Sequence, residues 1–295
     1  MNQILYYLIV KPLSLLPLRV LYLLSDLIYP FLYYIVAYRK KVVLQNLTRA
    51  FPDRSAVEIQ QLSRDFYRYL CDLLVESIRI FSISEREVHQ RCRILNPEIF
   101  EPFVREKRSI VIAASHYGNW ELAGLAVQRQ IPHQVAGLFT PLSNAFWQKK
   151  LEASRTRFGL KVVAANKMKE LLELATKMPI ATVFINDQSP RSHKKRQYWT
   201  QFLNQETGVL LGAEKFARTY DYPILYSYNR RIKRGHYELE FVLIDDQPAR
   251  TTEFDITERH LRLLEGQIKR APRYWLWTHR RWKHQRPKDN KPVGE

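Results

Sequence analysis

Cysteine is almost missing from this chain: Cys71 and Cys92 are the only two in 295 residues. They stand at no metal-binding or redox spacing, and an isolated pair argues against a disulfide-stapled scaffold. Both are expected as reduced thiols, with Cys71 on an apolar helix face and so in the core. No repeat, low-complexity tract or clear linker divides the sequence, and 295 residues suffice for one substantial core. Acidic residues are also scarce. Against 47 lysines and arginines stand 29 aspartates and glutamates, a formal charge of +18. With 46% hydrophobic residues the chain is not a disordered polycation. The charge calls instead for an anionic partner: nucleic acid, a membrane surface or a strongly acidic substrate.

What is abundant near the N-terminus chooses among these. Residues 4–38 are dense in Leu, Ile, Tyr and Val, broken by Lys11, Pro12, Pro17, Arg19, Asp26 and Pro30. Between Arg19 and Arg39 lie 19 residues with one charge, Asp26. At ~1.5 Å per residue they just reach across a hydrocarbon core of about 30 Å. Asp26 and Pro30 count against a span, and an interfacial amphipathic element fits almost as well. No small-residue cleavage site follows, so no removable signal peptide is expected. Arg39-Lys40-Lys41 then place the remainder on the cytoplasmic side. Tyr6, Tyr7, Tyr22, Tyr29, Tyr33, Tyr34 and Tyr38 suit an interface. A membrane is therefore preferred to nucleic acid as the partner.

Ser55-Ala56-Val57-Glu58 forms a capping box, and Ile59, Leu62, Phe66, Leu70, Leu73, Leu74 and Ile80 continue from it at helical spacing. Strands and helices alternate after that. The strand candidates are 109–115, 135–139, 161–165, 180–185, 223–228 and 237–244. The helix candidates are 121–130, 144–158, 167–177, 208–220 and 256–270. The alternation predicts an α/β fold with a mostly parallel central sheet flanked by helices. The polar tail 287–295 reads as disordered.

The stretch His116-Tyr117-Gly118-Asn119-Trp120-Glu121 falls between the strand 109–115 and the helix 121–130. Ligands bind in α/β proteins at the carboxyl ends of the strands, so this turn delivers a histidine and a glutamate where chemistry is done. Spacing alone proves little. With eight histidines and 29 acidic residues, about one chance match is expected, and His260…Glu265 supplies it. That second pair lies in an uninterrupted helical pattern, where positions five apart point ~140° away from each other. Both of its members read as solvated polar-face residues. In the first pair Gly118 permits a tight turn, so the side chains can converge. A neutral imidazole takes a hydroxyl proton near neutral pH, while a carboxylate fixes its tautomer. No serine, cysteine or lysine follows in a nucleophile-type turn, which favours direct transfer over a covalent enzyme intermediate. No other histidine or cysteine stands at metal-ligand spacing with His116, so neither metal nor cofactor is expected.

Further features are weighed against plain structural roles. Arg155 and Arg157 end a helix before Gly159, where charge at a helix C-terminus explains them by itself. Asn186-Asp187-Gln188-Ser189-Pro190-Arg191 follows the apolar strand 180–185, on the same sheet edge as His116 if the strands are parallel. Basic groups recur at Lys194-Lys195-Arg196, at Arg230-Arg231 with Lys233-Arg234, and at Arg280-Arg281 with Lys283. In Tyr274-Trp275-Leu276-Trp277-Thr278-His279-Arg280-Arg281-Trp282, aromatic bodies interleave with cationic heads. That pattern suits a lipid headgroup interface, with Trp275, Trp277, Arg280 and Arg281 as the contacts.

Taken together, these residues resemble the late (secondary) acyltransferases of lipid A biosynthesis, the lauroyl/myristoyl type of bacterial inner membranes. The resemblance spans nearly the whole chain. It runs from the N-terminal anchor through Arg39–Leu47 with Phe51-Pro52, then Ser115–Glu121, the Arg155/Arg157 pair, Asp187-Gln188, and Ala271–Lys283. It implies a glycerol-3-phosphate-acyltransferase-like fold, with a membrane anchor or interfacial helix at 1–41 and an acyltransferase domain at 42–286. It implies an acyl-carrier-protein thioester as donor and a hydroxyl of an anionic, phosphorylated glycolipid as acceptor, at the cytoplasmic face of the inner membrane, with no nucleic acid involved. His116 would be the general base held by Glu121. Asn119, Arg155, Arg157, Asp187 and Gln188 would line the substrate cleft. The Tyr117-Gly118-Asn119-Trp120 version of the motif leaves a lysophospholipid or aminolipid open as acceptor, and a catalytically silent protein that binds anionic lipid is the reading from another class.

Overall fold

The computed structural model describes residues 2–190 and 198–287. Arg191, Lys194-Lys195-Arg196 and the tail from 288 on lie outside the described residues.

The chain begins with α1 (Asn2–Leu5), joined through a π-helical segment, Tyr6–Val10, to α2 (Lys11–Leu15), and then α3 (Leu18–Pro30). Pro30 cannot donate to the preceding turn, and the helix continues beyond it in π-helical register through Ile35. Next come α4 (Lys40–Ala50) and α5 (Ala56–Arg79). The capping box at Ser55 and Glu58 is formed as the sequence predicts. Leu18, Leu21 and Ser25 of α3 are buried against α5, where Ser25 donates to Asp72 Oδ1 at 2.7 Å and Tyr22 to Glu76 Oε1 at 2.8 Å. The opposite face is apolar and open: Leu23, Leu27 and Ile35 are 65%, 71% and 73% exposed. Leu18–Ile35 is the one helical stretch among the described residues long and apolar enough to cross a membrane.

The α/β body follows as α6 (Glu85–Arg91), β1 (Cys92–Ile94), α7 (Glu101–Arg105), β2 (Ile110–Ala114), α8 (Trp120–Val127), β3 (Gln134–Phe139), α9 (Ala145–Thr156), β4 (Lys161–Ala164), α10 (Met168–Ala175) and β5 (Ile180–Ile185). It closes with β6 (Tyr198–Phe202), β7 (Gln205–Val209), α11 (Gly212–Tyr220), β8 (Ile224–Lys233), β9 (His236–Asp245) and α12 (Asp255–Arg270). Seven strands form one sheet in the order β1-β9-β8-β2-β5-β3-β4, parallel except for the β8–β9 hairpin. The mixed α/β, mostly parallel architecture is the one expected from the alternation. Along β2, Ile110 and Ile112 face one hydrophobic cluster with α8, while Val111 and Ala113 face the other with α11 and α12.

Several features depart from the sequence reading, among them β8, which runs to Lys233 where the expected strand ends at 228. The short β1 carries too little pattern to be seen. Residues 208–209, assigned to a helix, belong to β7 of a separate two-stranded hairpin. Its turn, Leu203-Asn204, has φ of +50° and +60°, the geometry of a tight hairpin turn. His260 and Glu265, read as solvated, are buried on α12. Burial drives the His260 pKa down to about 4; Glu265 is satisfied by Lys269 at 2.9 Å and by Arg262. The wide inner face of α12 covers the sheet, and that coverage reaches beyond its aliphatic stripe.

Candidate active site

Register brings the site together. β2 and β5 run parallel with Ala114 opposite Ile185, so two residues further on His116 meets Asp187 at the carboxyl edge of the sheet. His116 Nδ1 lies 2.7 Å from Asp187 Oδ1, and the His116 backbone N–H donates to Asp187 Oδ2 at 3.0 Å. Trp275 Nε1 donates to that same Oδ2 at 2.8 Å. An ionised carboxylate only accepts, so the imidazole carries its proton on Nδ1 and keeps a lone pair on Nε2. The amide nitrogen of Gln188 lies 3.3 Å from that Nε2. The Trp120 ring packs edge-on to His116, with centroids 5.0 Å apart.

Electrostatics follow from this geometry. Burial pulls the His116 pKa down, but the charge and hydrogen bond of Asp187, with Glu121 adding, outweigh it, and the net displacement is upward. Asp187 is itself buried, which raises a carboxyl pKa. His116 and the N–H donors more than reverse this and hold it at about 2. His279 is half-buried and driven down to about 4, mainly by burial, and its Nε2 accepts from the Ser189 backbone at 3.0 Å.

Glu121 does not hold His116, which corrects the expectation drawn from the His-x4-Glu spacing. It forms a bidentate pair with Arg155 at 2.6 and 2.9 Å, and Asp187 takes the orienting position instead. The sequence did contain the signal, since Asp187 follows an apolar strand, but only strand pairing shows that the two edges adjoin. Gly118 has φ +62°, the conformation a tight turn requires.

Asn119 is 1% exposed and both ends of its carboxamide are occupied. Its Oδ1 caps α8 through Leu122 N at 2.9 Å, and its Nδ2 donates to Glu76 at 2.7 Å. It therefore holds the start of the helix and has no group left for substrate. Arg155 and Arg157 separate cleanly. Arg155 lines the cleft, whereas Arg157 points to the end of α5 and donates to Ile80 O at 2.6 Å.

The aromatic-cationic block is also corrected. Trp275, Trp277 and Arg281 are 2%, 0% and 3% exposed, so they cannot meet a headgroup; Arg280 alone of the four is exposed. Each of the three buried side chains makes a hydrogen bond inside the protein, though Arg281 Nε and Nη2 are buried without a partner. Trp277 Nε1 donates to Pro272 O at 2.7 Å and Arg281 to Gly208 O at 2.9 Å. Asn46 on α4 binds the carbonyls of Trp277 and His279 at 2.9 and 3.0 Å. Two sequence blocks more than two hundred residues apart thus lock together behind Asp187.

His116, Trp120, Glu121 and Arg155 open into a cavity of about 370 Å³ between the sheet and α8 and α9. Its walls are mostly apolar, with Ile112, Val127, Leu160, Val162, Val183 and Phe241 among them. No group of three or more His, Cys, Asp or Glu that would hold a metal occurs among the described residues.

An imidazole oriented by Asp187, its Nε2 facing the Gln188 amide, thus stands at the mouth of an aliphatic pocket, an arrangement suited to activating a hydroxyl beside a fatty chain. A family model described as bacterial lipid A biosynthesis acyltransferase matches residues 2–284, and the chain belongs to that family; it is an acyltransferase. It is 22% identical over 258 residues to the lipid A biosynthesis palmitoleoyltransferase of Escherichia coli (strain K12), covering 87% of this chain and 81% of that one. The lipid A biosynthesis acyltransferase of Shigella flexneri gives the same figures.

Proposed function

We propose that the protein moves a fatty acyl group from an acyl-carrier-protein thioester to a hydroxyl of a lipid A precursor, at the cytoplasmic face of the inner membrane. The observation that carries this reading is the His116–Asp187 pair at the mouth of the apolar cavity. His116 Nε2 removes the acceptor hydroxyl proton as the oxygen attacks the thioester carbonyl. Asp187 holds the tautomer and stabilises the imidazolium. When the C–S bond breaks, the imidazolium returns that proton to the departing thiolate. The apolar cavity is suited to the aliphatic chain, while the Glu121–Arg155 pair shapes its polar mouth. A net charge of +18 suits both a strongly acidic carrier protein and a phosphorylated lipid.

Attachment follows the interfacial form. The N-terminal helices are fastened to α5 on one side, and Arg234 pairs with Asp26 and Asp72 at 2.6 Å each. Their outward apolar face is what a membrane would take up.

The test is a reconstituted assay with acyl-carrier-protein thioesters, offering the tetra-acylated lipid A precursor and lysophospholipids side by side. Acylated lipid A precursor is expected, and a His116→Ala variant is expected to lose transfer while keeping membrane binding. Product from the lysophospholipid alone would overturn the acceptor assignment; full transfer by His116→Ala would remove it as the base.

A further inference from the structure

One polar side chain in the cavity wall has no use within the protein. Asn229 on β8 is 6% exposed and lines the cavity, and its Oδ1 is buried without a partner. Its backbone pairs with Leu239 in the β8–β9 ladder, and its carbonyl accepts from Gln267 Nε2 at 3.0 Å. Among the described residues nothing pairs with its carboxamide. A carboxamide in a cavity wall with no partner in the protein leaves its N–H group free to donate to a ligand.

Room for this carboxamide comes from the motif itself. A Cβ at Gly118 would lie 2.5 Å from Asn229 Oδ1, so glycine both makes the turn and leaves the space that Asn229 fills. Of the two ends, only Oδ1 is both closed off and unpaired; the amide nitrogen is the end left toward the cavity.

Strand register sets the level at which it acts. β2 and β8 run parallel with Ala113 opposite Tyr226, so three residues further Asn229 is level with His116. Ile112 and Val183 lie further from that edge, opposite each other on β2 and β5. A saturated acyl thioester has one polar acceptor to offer at the level of His116, its carbonyl oxygen. Arg155, the nearby cation at the mouth, is already committed to Glu121.

We infer that Asn229 is a catalytic residue whose amide N–H holds the thioester carbonyl and the oxyanion formed from it. This rests on the acyl-transfer reading above. As the acceptor oxygen bonds to the carbonyl carbon, its proton passes to His116 Nε2 and the C=O electron pair moves onto the oxygen facing Asn229. On collapse the C=O bond re-forms, the C–S bond breaks and the thiolate takes the proton from His116. A neutral donor in a dry, apolar site is well suited to charge that appears only in the transition state.

The test uses the full chain carrying Asn229→Leu or the isosteric Asn229→Asp, beside His116→Ala. Single-turnover transfer from an acyl-carrier-protein thioester to the tetra-acylated precursor is expected to slow about 10²–10³-fold in both Asn229 variants, with donor KM within about threefold of wild type. Binding gives a second readout that needs no acceptor. An acyl-pantetheine trifluoromethyl ketone, which adds water to give a tetrahedral hydrate with an acidified hydroxyl, is compared with a thioether analogue that lacks the carbonyl. Wild type is expected to prefer the ketone; the Asn229 variants lose that preference and still bind the thioether, which also reports an intact fold. Wild-type rates with an undiminished ketone preference overturn the inference. No transfer from the thioester by the wild-type chain overturns the acyl-transfer reading beneath it, and full transfer by His116→Ala removes His116 as the base.

Discussion

Asp187→Asn isolates the part of the site that the sequence assigned to the wrong carboxylate. Asp187 Oδ2 accepts two N–H donors, the His116 backbone and Trp275 Nε1, at 3.0 and 2.8 Å, whereas Oδ1 serves only His116 Nδ1. An asparagine therefore keeps its oxygen toward the two N–H groups and turns its NH2 toward the imidazole. That NH2 donates to Nδ1, which forces the ring proton onto Nε2, and no lone pair remains at the cavity mouth. Transfer should fall by about 10³–10⁴-fold. The stability effect is separate and smaller. A carboxyl held at about 2 instead of 3.8 contributes on the order of 2 kcal/mol at neutral pH.

The pH dependence follows the same geometry. The Asp187 pKa is depressed, so its contribution is present above 3.8 and is lost as pH falls through about 2. The His116 pKa is raised, so its contribution is full below 6.5 and is lost as pH rises through the folded value. In wild type, kcat/KM should climb with pH through a value above 6.5, because the neutral imidazole is the active form. In Asp187→Asn, burial acts without the opposing carboxylate and that inflection moves down. The assay is single-turnover transfer across a pH series, with thermal unfolding run in parallel. A folded Asp187→Asn within about tenfold of the wild-type rate, with an unmoved inflection, would refute the reasoning.

Arg155→Ala should lower transfer about 10²-fold by releasing Glu121 at the mouth, while Arg157→Ala stays near wild type and costs roughly 0.3–1 kcal/mol of stability at the end of α5; equal losses of rate in the two variants would contradict the separation. Replacing Leu23, Leu27 and Ile35 together by Asp should weaken binding to anionic vesicles by more than tenfold, since each buried aliphatic side chain is worth about 1.5–3 kcal/mol. Vesicle co-sedimentation checks this, and undiminished binding would remove the apolar face of α3 as the attachment surface.

Much of the fold was legible because hydrophobic period is a local property. β2, β3, β4 and β5 fall within a residue or so of their sequence ranges, and their parallel direction follows from the alternation. β1 escaped because three residues carry no period, and the β6–β7 hairpin because its Leu203-Asn204 turn lacks glycine. Burial of Trp275, Trp277 and Arg281 could not be read either. Aromatic and cationic residues alternate both at a lipid surface and in an interior where indole and guanidinium N–H groups reach carbonyls and carboxylates. Which of the two applies depends on α4 and β7 arriving from elsewhere in the chain.

The sequence by itself determined that a histidine stands at a strand-to-helix turn, that the turn needs Gly118, and that a basic chain begins with an apolar stretch. Tertiary structure alone decided which acid serves that histidine. Glu121 is five residues away along the chain but turned toward Arg155, while Asp187 is 71 residues away and at 2.7 Å. The physical reason is strand pairing. Parallel neighbours bring their carboxyl ends to one edge whatever their distance in sequence, and the pairing of β2 with β5 and β8 is fixed by the whole sheet rather than by any local pattern.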